Sequence, residues 1–503
     1  MFNMSATHQF QFTVVLVLSL EITLTCFAAT SIPQELHKGF SAAPQSTTTS
    51  FETVLSDPTG NFSLGFLRHN QNQLTLAVIH VASSEPLWVV GNKPTHSAAA
   101  WSVTTRLFFN GSLVLWDPQS GASWSTATNG DRVVLLNTSN LQVQNNKGTL
   151  LWESFNFPIN TLVQGQNFTA NMSLMSGNGL YSLRLGDNYM GLYTNYGEEE
   201  GGSLRQLLYW KHTALEARAE IDEGKGPIYA QVNENGYLGM YQSSPNPVDV
   251  QKFNSFQQAF NTSSFLLVRL EPDGNLKGYY WNTDTSTWLL NYQAITDTCE
   301  LPSPCDSYGL CTPGGSGCSC LDNRTRFEPG GCLAGDADVD GDLCGERMGG
   351  NSYWVLRRTG VEPPHKELLG HVTTSSLAEC EGLCQNNCSC WGALYSNATG
   401  FCYVLDYPIQ TMLGTGDESK VGYFKVRKDA GGRNRVGVRV GVVVAVLVGI
   451  IGIIIGIGMC RLRWKRRKGV NGILEEENGV SPGPYKNLGS ASFRSIEMCN
   501  NAQ

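Results

Sequence analysis

The chain has 503 residues and a formal net charge of −8. That length exceeds one compact domain, and the acidic balance excludes the broad basic face that a nucleic-acid binder needs to neutralise phosphates. Charged residues are only 16% of the chain while aromatics reach 10%, which favours a mainly β, multidomain, turn-rich protein over a helical one.

Residues 1–28 read as a signal peptide. Phe12 to Leu24 form a short apolar run, and Cys26-Phe27-Ala28 offers a small-x-small cleavage point. The flank before it lacks Lys and Arg, which keeps an uncleaved anchor as the alternative.

Residues 40–165 alternate apolar and polar positions between turn signals such as Asp57-Pro58-Thr59-Gly60-Asn61, Asn110-Gly111 and Asn129-Gly130. Arg106–Phe109 and Leu113–Trp116 are expected strands. No cysteine falls between Cys26 and Cys299, so this region must close around an apolar core. Residues 167–295 are again β-like, with Leu180–Leu185, Leu207–Trp210 and Phe265–Leu270 as strands and Asp273-Gly274 as a hairpin turn. The acidic run Glu198–Glu200 is expected to be a solvated loop.

Twelve cysteines then fall between Cys299 and Cys402, at a density that reads as a disulfide framework. The alternative is a zinc module, but only His365 and His371 lie nearby and no paired Cys-x-x-Cys is present. Cys299, Cys305, Cys311, Cys318, Cys320 and Cys332 occupy 296–333, a stretch too short to hold its own core. Asp336, Asp338, Asp340 and Asp342 imitate a calcium loop, but Arg347 stands where the closing Glu belongs, and a solvated linker is the other reading. In 344–427, Ser376-Leu377-Ala378-Glu379 is a capping-box helix start that places Cys380 and Cys384 on one face. Val421–Val426 is the expected closing strand.

Residues 440–460 form the expected transmembrane helix, long enough at 1.5 Å per residue to span about 30 Å of hydrocarbon. The following Arg461, Arg463, Lys465, Arg466, Arg467 and Lys468 put the carboxyl end in the cytoplasm, a type I topology. Gly452 and Gly456 leave a homo- or hetero-dimer through this helix open. The tail, 461–503, reads as disordered, with Tyr485 and Ser490 to Ser495 as phosphorylation candidates and Cys460 as a palmitoylation candidate. Asn-x-Ser/Thr sequons at Asn61, Asn110, Asn137, Asn167, Asn171, Asn261, Asn323, Asn387 and Asn397 all precede the apolar run, in agreement with that topology.

Four segments carry a family resemblance: Gly60-Asn61-Phe62-Ser63-Leu64-Gly65-Phe66, Leu87-Trp88-Val89-Val90-Gly91-Asn92-Lys93-Pro94, Asn110-Gly111-Ser112-Leu113-Val114-Leu115-Trp116-Asp117, and Leu151-Trp152-Glu153-Ser154-Phe155-Asn156-Phe157-Pro158 running on to Thr161-Leu162. They resemble the bulb-type lectin domain of plant S-locus glycoproteins and G-type lectin receptor kinases. The resemblance implies a β-prism of three antiparallel sheets, a second S-locus-like β domain, an EGF-like module at 296–333 and a PAN/apple module at 344–427. It also implies the pairs Cys299–Cys311, Cys305–Cys318, Cys320–Cys332, Cys380–Cys402, Cys384–Cys390 and Cys344–Cys388.

Lectins of this fold bind mannose through Gln-x-Asp-x-Asn-x-Val-x-Tyr, whose side chains period-two alternation would set on one face. The aligned residues here are Phe108, Asn110, Ser112, Val114 and Trp116, and in a second repeat Leu136, Thr138, Asn140, Gln142 and Gln144. The carboxylate and amide fork of the first are gone, so these strands are expected to serve the fold, with Trp116 in the core or as a stacking surface. No kinase, hydrolase or metalloprotease motif is found. The expected function is a non-catalytic, cofactor-free recognition protein of the plasma membrane, a kinase-less co-receptor or decoy with receptor kinases as partners. Its ligand is an extracellular glycan or peptide; the family's best-known role is pollen recognition. The alternative is a membrane-anchored lectin for cell-wall or microbial glycans.

Overall fold

The computed structural model describes residues 32–45, 49–91, 101–198, 204–214, 228–242, 249–252, 265–314, 317–328, 331–332, 343 and 353–427. The expected leader, Asn261, the Asp336–Asp342 run, Cys344, the apolar run and the tail lie outside them. No helix among the described residues is long and apolar enough to cross a membrane.

Among the described residues, three antiparallel sheets surround the first core. One joins Phe51–Ser56, Phe62–Asn70, Gln73–His80 and Glu85–Val89, with Trp101–Ser102 added to its side. The second runs Phe40–Ala42, Arg106–Phe109, Leu113–Trp116, Ser123–Ser125. The third runs Glu35–His37, Arg132–Leu135, Leu141–Gln144, Leu150–Glu153. Alternation drives the packing: Leu113 and Leu115 are fully buried, while Val114 and Trp116 point out. With no cysteine available, the apolar cluster of Leu64, Leu76, Leu107, Leu115, Val133 and Leu141 holds the three sheets together.

The second region repeats this plan. Leu174–Met175, Tyr181–Leu185, Tyr189–Glu198 and Leu204–Thr213 form one sheet. Asn167–Phe168, Tyr229–Asn233, Tyr237–Tyr241 and Asp249–Lys252 form the next. Thr161–Val163, Leu266–Leu270, Leu276–Asn282 and Thr287–Gln293 form the last. In both regions the first strand completes the third sheet, the second strand completes the second sheet, and the third strand opens the first sheet. The region expected only to be β-rich is thus a second prism.

The two prisms share their boundary. Leu162, Leu266 and Val268 face the second core, while their neighbours Val163 and Leu267 face the first. Both faces of its strands Thr161–Val163 and Leu266–Leu270 are therefore packed against a core. His80, Phe265, Trp281 and Trp288 interlock at the seam with ring centroids 5.1–6.3 Å apart, and Arg269 reaches Glu85 at 2.9 Å.

The cysteine-rich end is one packed unit as well. The hairpin of Gly309–Cys311 and Cys318–Cys320 continues into Met412–Gly414, where Leu310 pairs with Met412 in parallel. Cys305 N–H donates to Thr411 Oγ1 at 2.9 Å, and the Tyr308 hydroxyl donates to the Lys425 carbonyl at 2.7 Å. A stretch too short for a core of its own thus borrows its neighbour's. Beside it, Tyr353–Thr359, Lys420–Arg427, Gly392–Ser396, Phe401–Leu405 and Val372–Thr373 form a five-stranded sheet under the helix Leu377–Gln385. Ser376 caps that helix by accepting from Glu379 N–H at 3.3 Å. The reciprocal arm of the expected capping box is displaced by one residue: the Glu379 carboxylate accepts from Ser375 N–H and Oγ. Cys380 and Cys384 are both buried against the sheet.

Candidate recognition faces

A cavity between the second prism and the cysteine-rich end is lined by Tyr196, Tyr209, His365, Tyr407 and Gln410. Its volume is about 20 Å³, room for a water and not for a sugar ring. Burial holds the His365 imidazole below its ordinary pKa there. The residues aligned with a sugar site lie on the outer sheet faces.

On the first prism, the five positions expected along one strand are divided by a hairpin turn. Asn110 N–H donates to the Ser112 carbonyl, and Gly111 takes φ +113. Phe108 lies on one limb directly opposite Val114 on the other. The face is therefore apolar at its centre, and Ser112 Oγ is drawn into hydroxyl contacts with Ser125 at 2.7 Å and Thr126 at 3.1 Å. Trp116 is 41% exposed, which corrects its expected place in the core: alternation from Leu115 forces it outward. The buried acid is its neighbour. Burial would raise the Asp117 pKa, but hydrogen bonds from Ser102 Oγ and N–H, Gln119 N–H and Ser120 Oγ hold the carboxyl well below the usual range.

In the second repeat, Leu136, Thr138 and Asn140 form the turn, and Gln142 and Gln144 follow on the strand. Its polar groups are spent on one another. Glu153 accepts from Asn140 Nδ2 at 2.7 Å and Gln142 Nε2 at 3.4 Å. Gln144 donates to Gln142 and accepts from Arg132, which also binds Glu35. A sugar would have to break this ladder to use it.

Sequence reasoning missed the matching face of the second prism. Tyr229 stacks on Tyr241 at 5.2 Å and 16°, Gln231 lies opposite Gly239, and Asn233 Nδ2 donates to the Tyr241 hydroxyl at 3.3 Å. A Cβ on Gly239 would meet the Tyr241 ring at 2.7 Å, so the glycine lets that ring lie flat on the sheet. The period-two row Tyr229, Gln231, Asn233, beside Tyr237, Gly239, Tyr241, was the available signal.

The described bridges are Cys299–Cys311, Cys305–Cys318, Cys320–Cys332, Cys380–Cys402 and Cys384–Cys390. Cys388 is also disulfide-bonded, while Cys344 lies outside the described residues. Asn61, Asn110, Asn137, Asn167, Asn171, Asn323, Asn387 and Asn397 are all exposed.

Comparison with known proteins matches three families: D-mannose binding lectin over residues 86–184, S-locus glycoprotein domain over 230–328 and PAN domain over 364–425. A PAN domain-containing protein of Arabidopsis thaliana is 53% identical over 465 residues, 92% of either chain. A G-type lectin S-receptor-like serine/threonine-protein kinase of the same plant is 25% identical over 74% of this chain, which spans only 44% of the kinase's length. Among solved structures, the Japanese Marasmius oreades lectin aligns with 27% of this chain and 91% of its own at 14% identity and a TM-score of 0.19.

Proposed function

The chain belongs to the PAN domain-containing family in which a mannose-binding-type lectin, an S-locus glycoprotein domain and a PAN domain follow one another, and from that premise we propose that it is a non-catalytic recognition protein of the cell surface. In this reading it acts as a co-receptor or decoy, sharing or competing for extracellular ligands with receptor kinases of the G-type lectin class. The observation that carries the proposal is the alignment with such a kinase over 74% of this chain. Phe108 and Val114, where a mannose site would offer polar groups, count against simple sugars at that face.

A second reading, a membrane-anchored lectin, draws support from the half-buried Tyr229 with Gln231 and Asn233 in its row, since saccharides bind through aromatic faces and amide groups together; Tyr241, only 3% exposed, is its stacking partner and not itself an open face. The test is binding of the detergent-solubilised full chain to arrayed glycans with free mannose as competitor, run beside co-purification with receptor kinases. The proposal expects kinase co-purification and no mannose-competed binding. Mannose-competed binding by a solitary chain would reverse the two readings.

A further inference from the structure

The two degenerate sugar rows of the first prism have something else in common. Each includes a hairpin tip, and each tip carries a sequon. Asn110-Gly111-Ser112 joins Arg106–Phe109 to Leu113–Trp116. Asn137-Thr138-Ser139 joins Arg132–Leu135 to Leu141–Gln144 in the neighbouring sheet. The two turns hold equivalent places, because in each sheet they connect the second strand to the third.

The local chemistry suits attachment. Asn110 is exposed, and its Oδ1 accepts from Ser112 N–H at 3.2 Å, so the amide is braced through its oxygen rather than its nitrogen. Gly111 sits at φ +113, and a Cβ there would meet Asn129 Oδ1 at 2.9 Å, so the tip keeps its shape. Asn137 is likewise exposed, at the end of a turn closed by Ser139 N–H on the Leu136 carbonyl at 3.0 Å. Below the first tip the outward row Ser112, Val114, Trp116 extends about 13 Å at the usual strand rise. It ends in an indole that is 41% exposed, an apolar surface of the kind that stacks on sugar rings.

We propose that Asn110 and Asn137 carry N-linked glycans that lie along these two rows, so that the faces of the first prism descended from sugar-reading sheets are covered by the protein's own sugars. The inference rests on the cell-surface reading above, which brings the chain into contact with the glycosylation machinery. The co-reactant is an oligosaccharide linked to a polyprenyl diphosphate. Asn Nδ2 forms a bond to the reducing-end C1, the bond from C1 to the diphosphate breaks, and the proton lost from Nδ2 leaves with the diphosphate. The Trp116 face then cannot act as an open receptor for free saccharides, and ligands must approach elsewhere.

The full-length chain, expressed in plant cells, would be mapped by peptide mass after deglycosylation in isotopically labelled water. Most molecules should be labelled at Asn110 and Asn137. Hydroxyl-radical footprinting then reads coverage: oxidation of Trp116 should rise severalfold in Asn110→Gln and equally in Ser112→Ala, which removes the same sequon from another side. Asn397→Gln, a sequon in the PAN region, should leave Trp116 unchanged. Enzymatic deglycosylation of the folded native chain gives the same readout without any substitution. Unmodified Asn110 in a chain glycosylated at its other sequons would overturn this inference alone, as would a Trp116 footprint that ignores glycan removal. A chain modified at no sequon would defeat the cell-surface reading too.

Discussion

In the first prism, Gly60-Asn61-Phe62-Ser63-Leu64 enters its sheet from a tight turn; in the second, Gly179-Leu180-Tyr181-Ser182-Leu183 does the same. The two glycines share a left-handed conformation, φ +76 and +75. Gly60 N–H donates to the Asp57 carbonyl and Gly179 N–H to the Ser176 carbonyl. Asp57 Oδ1 then accepts from Phe62 N–H at 2.7 Å, where Ser176 Oγ accepts from Tyr181 N–H at 3.0 Å. Leu64 and Leu183 are both fully buried. Outward residues share nothing comparable: Phe108, Val114 and Trp116 on one prism stand where Gln231, Gly239 and Tyr241 stand on the other. Inward positions are held by the need to fill equivalent spaces, whereas outward ones are free to follow ligands, glycans or nothing.

The largest effect expected on this comparison comes from its buried leucines. Leu64→Ala and Leu183→Ala should each cost about 2–5 kcal/mol in urea unfolding of the respective prism. Costs that differ by more than that range would mean that the shared plan hides different packing. Next comes the turn acceptor. Asp57→Ala orphans the Phe62 N–H and releases the exposed Thr59, and should cost about 2–3 kcal/mol, while Ser176→Ala orphans the Tyr181 N–H and releases Asn178, and should cost about 1–2 kcal/mol because a hydroxyl is a weaker acceptor than a carboxylate. A reversed order, measured by thermal unfolding, would break the equivalence of the two turns. Gly60→Ala and Gly179→Ala should each lose about 1 kcal/mol, since both demand positive φ.

The seam gives the smallest change, visible only in acid. Burial lowers the His80 pKa from its ordinary 6.5, so the unfolded chain binds a proton at a pH where the folded chain does not. Stability contributed by the neutral ring is complete above 6.5 and declines as the pH falls from there toward the lower folded value. His80→Phe, which keeps an aromatic ring against Phe265 and Trp281, should flatten this part of the pH profile. An unchanged slope in circular dichroism melts would place the acid sensitivity elsewhere, with His365 the next candidate.

Much of the first prism was legible because its hairpin signals and period-two alternation are local. The second prism shows the limit. Its strands were readable, and the Gly-x-aromatic-Ser-Leu echo stood in the sequence, yet the three-sheet closure depends on pairings such as Thr161 with Arg269, more than a hundred residues apart. The mannose row is a different case: the Asn110-Gly111 turn signal and the strands on either side of it were readable, and it was the motif alignment that laid five residues along one strand across that turn. Trp116 was open to a core or a surface place, and its position after the buried Leu115 sends it out.

Composition, cysteine spacing and hydrophobic pattern by themselves determined the class of this protein: β-rich modules first, a disulfide-dense end after them. Those properties depend on neighbours within a few residues, where sterics and alternation act directly. Only the tertiary structure decided that the second region is another prism, that the strands Thr161–Val163 and Leu266–Leu270 are packed against a core on both faces, and that the Gly309–Cys311 strand joins Met412–Gly414. Each of those outcomes is a contact between distant segments, selected by which apolar faces can be buried together, and no local pattern encodes that choice.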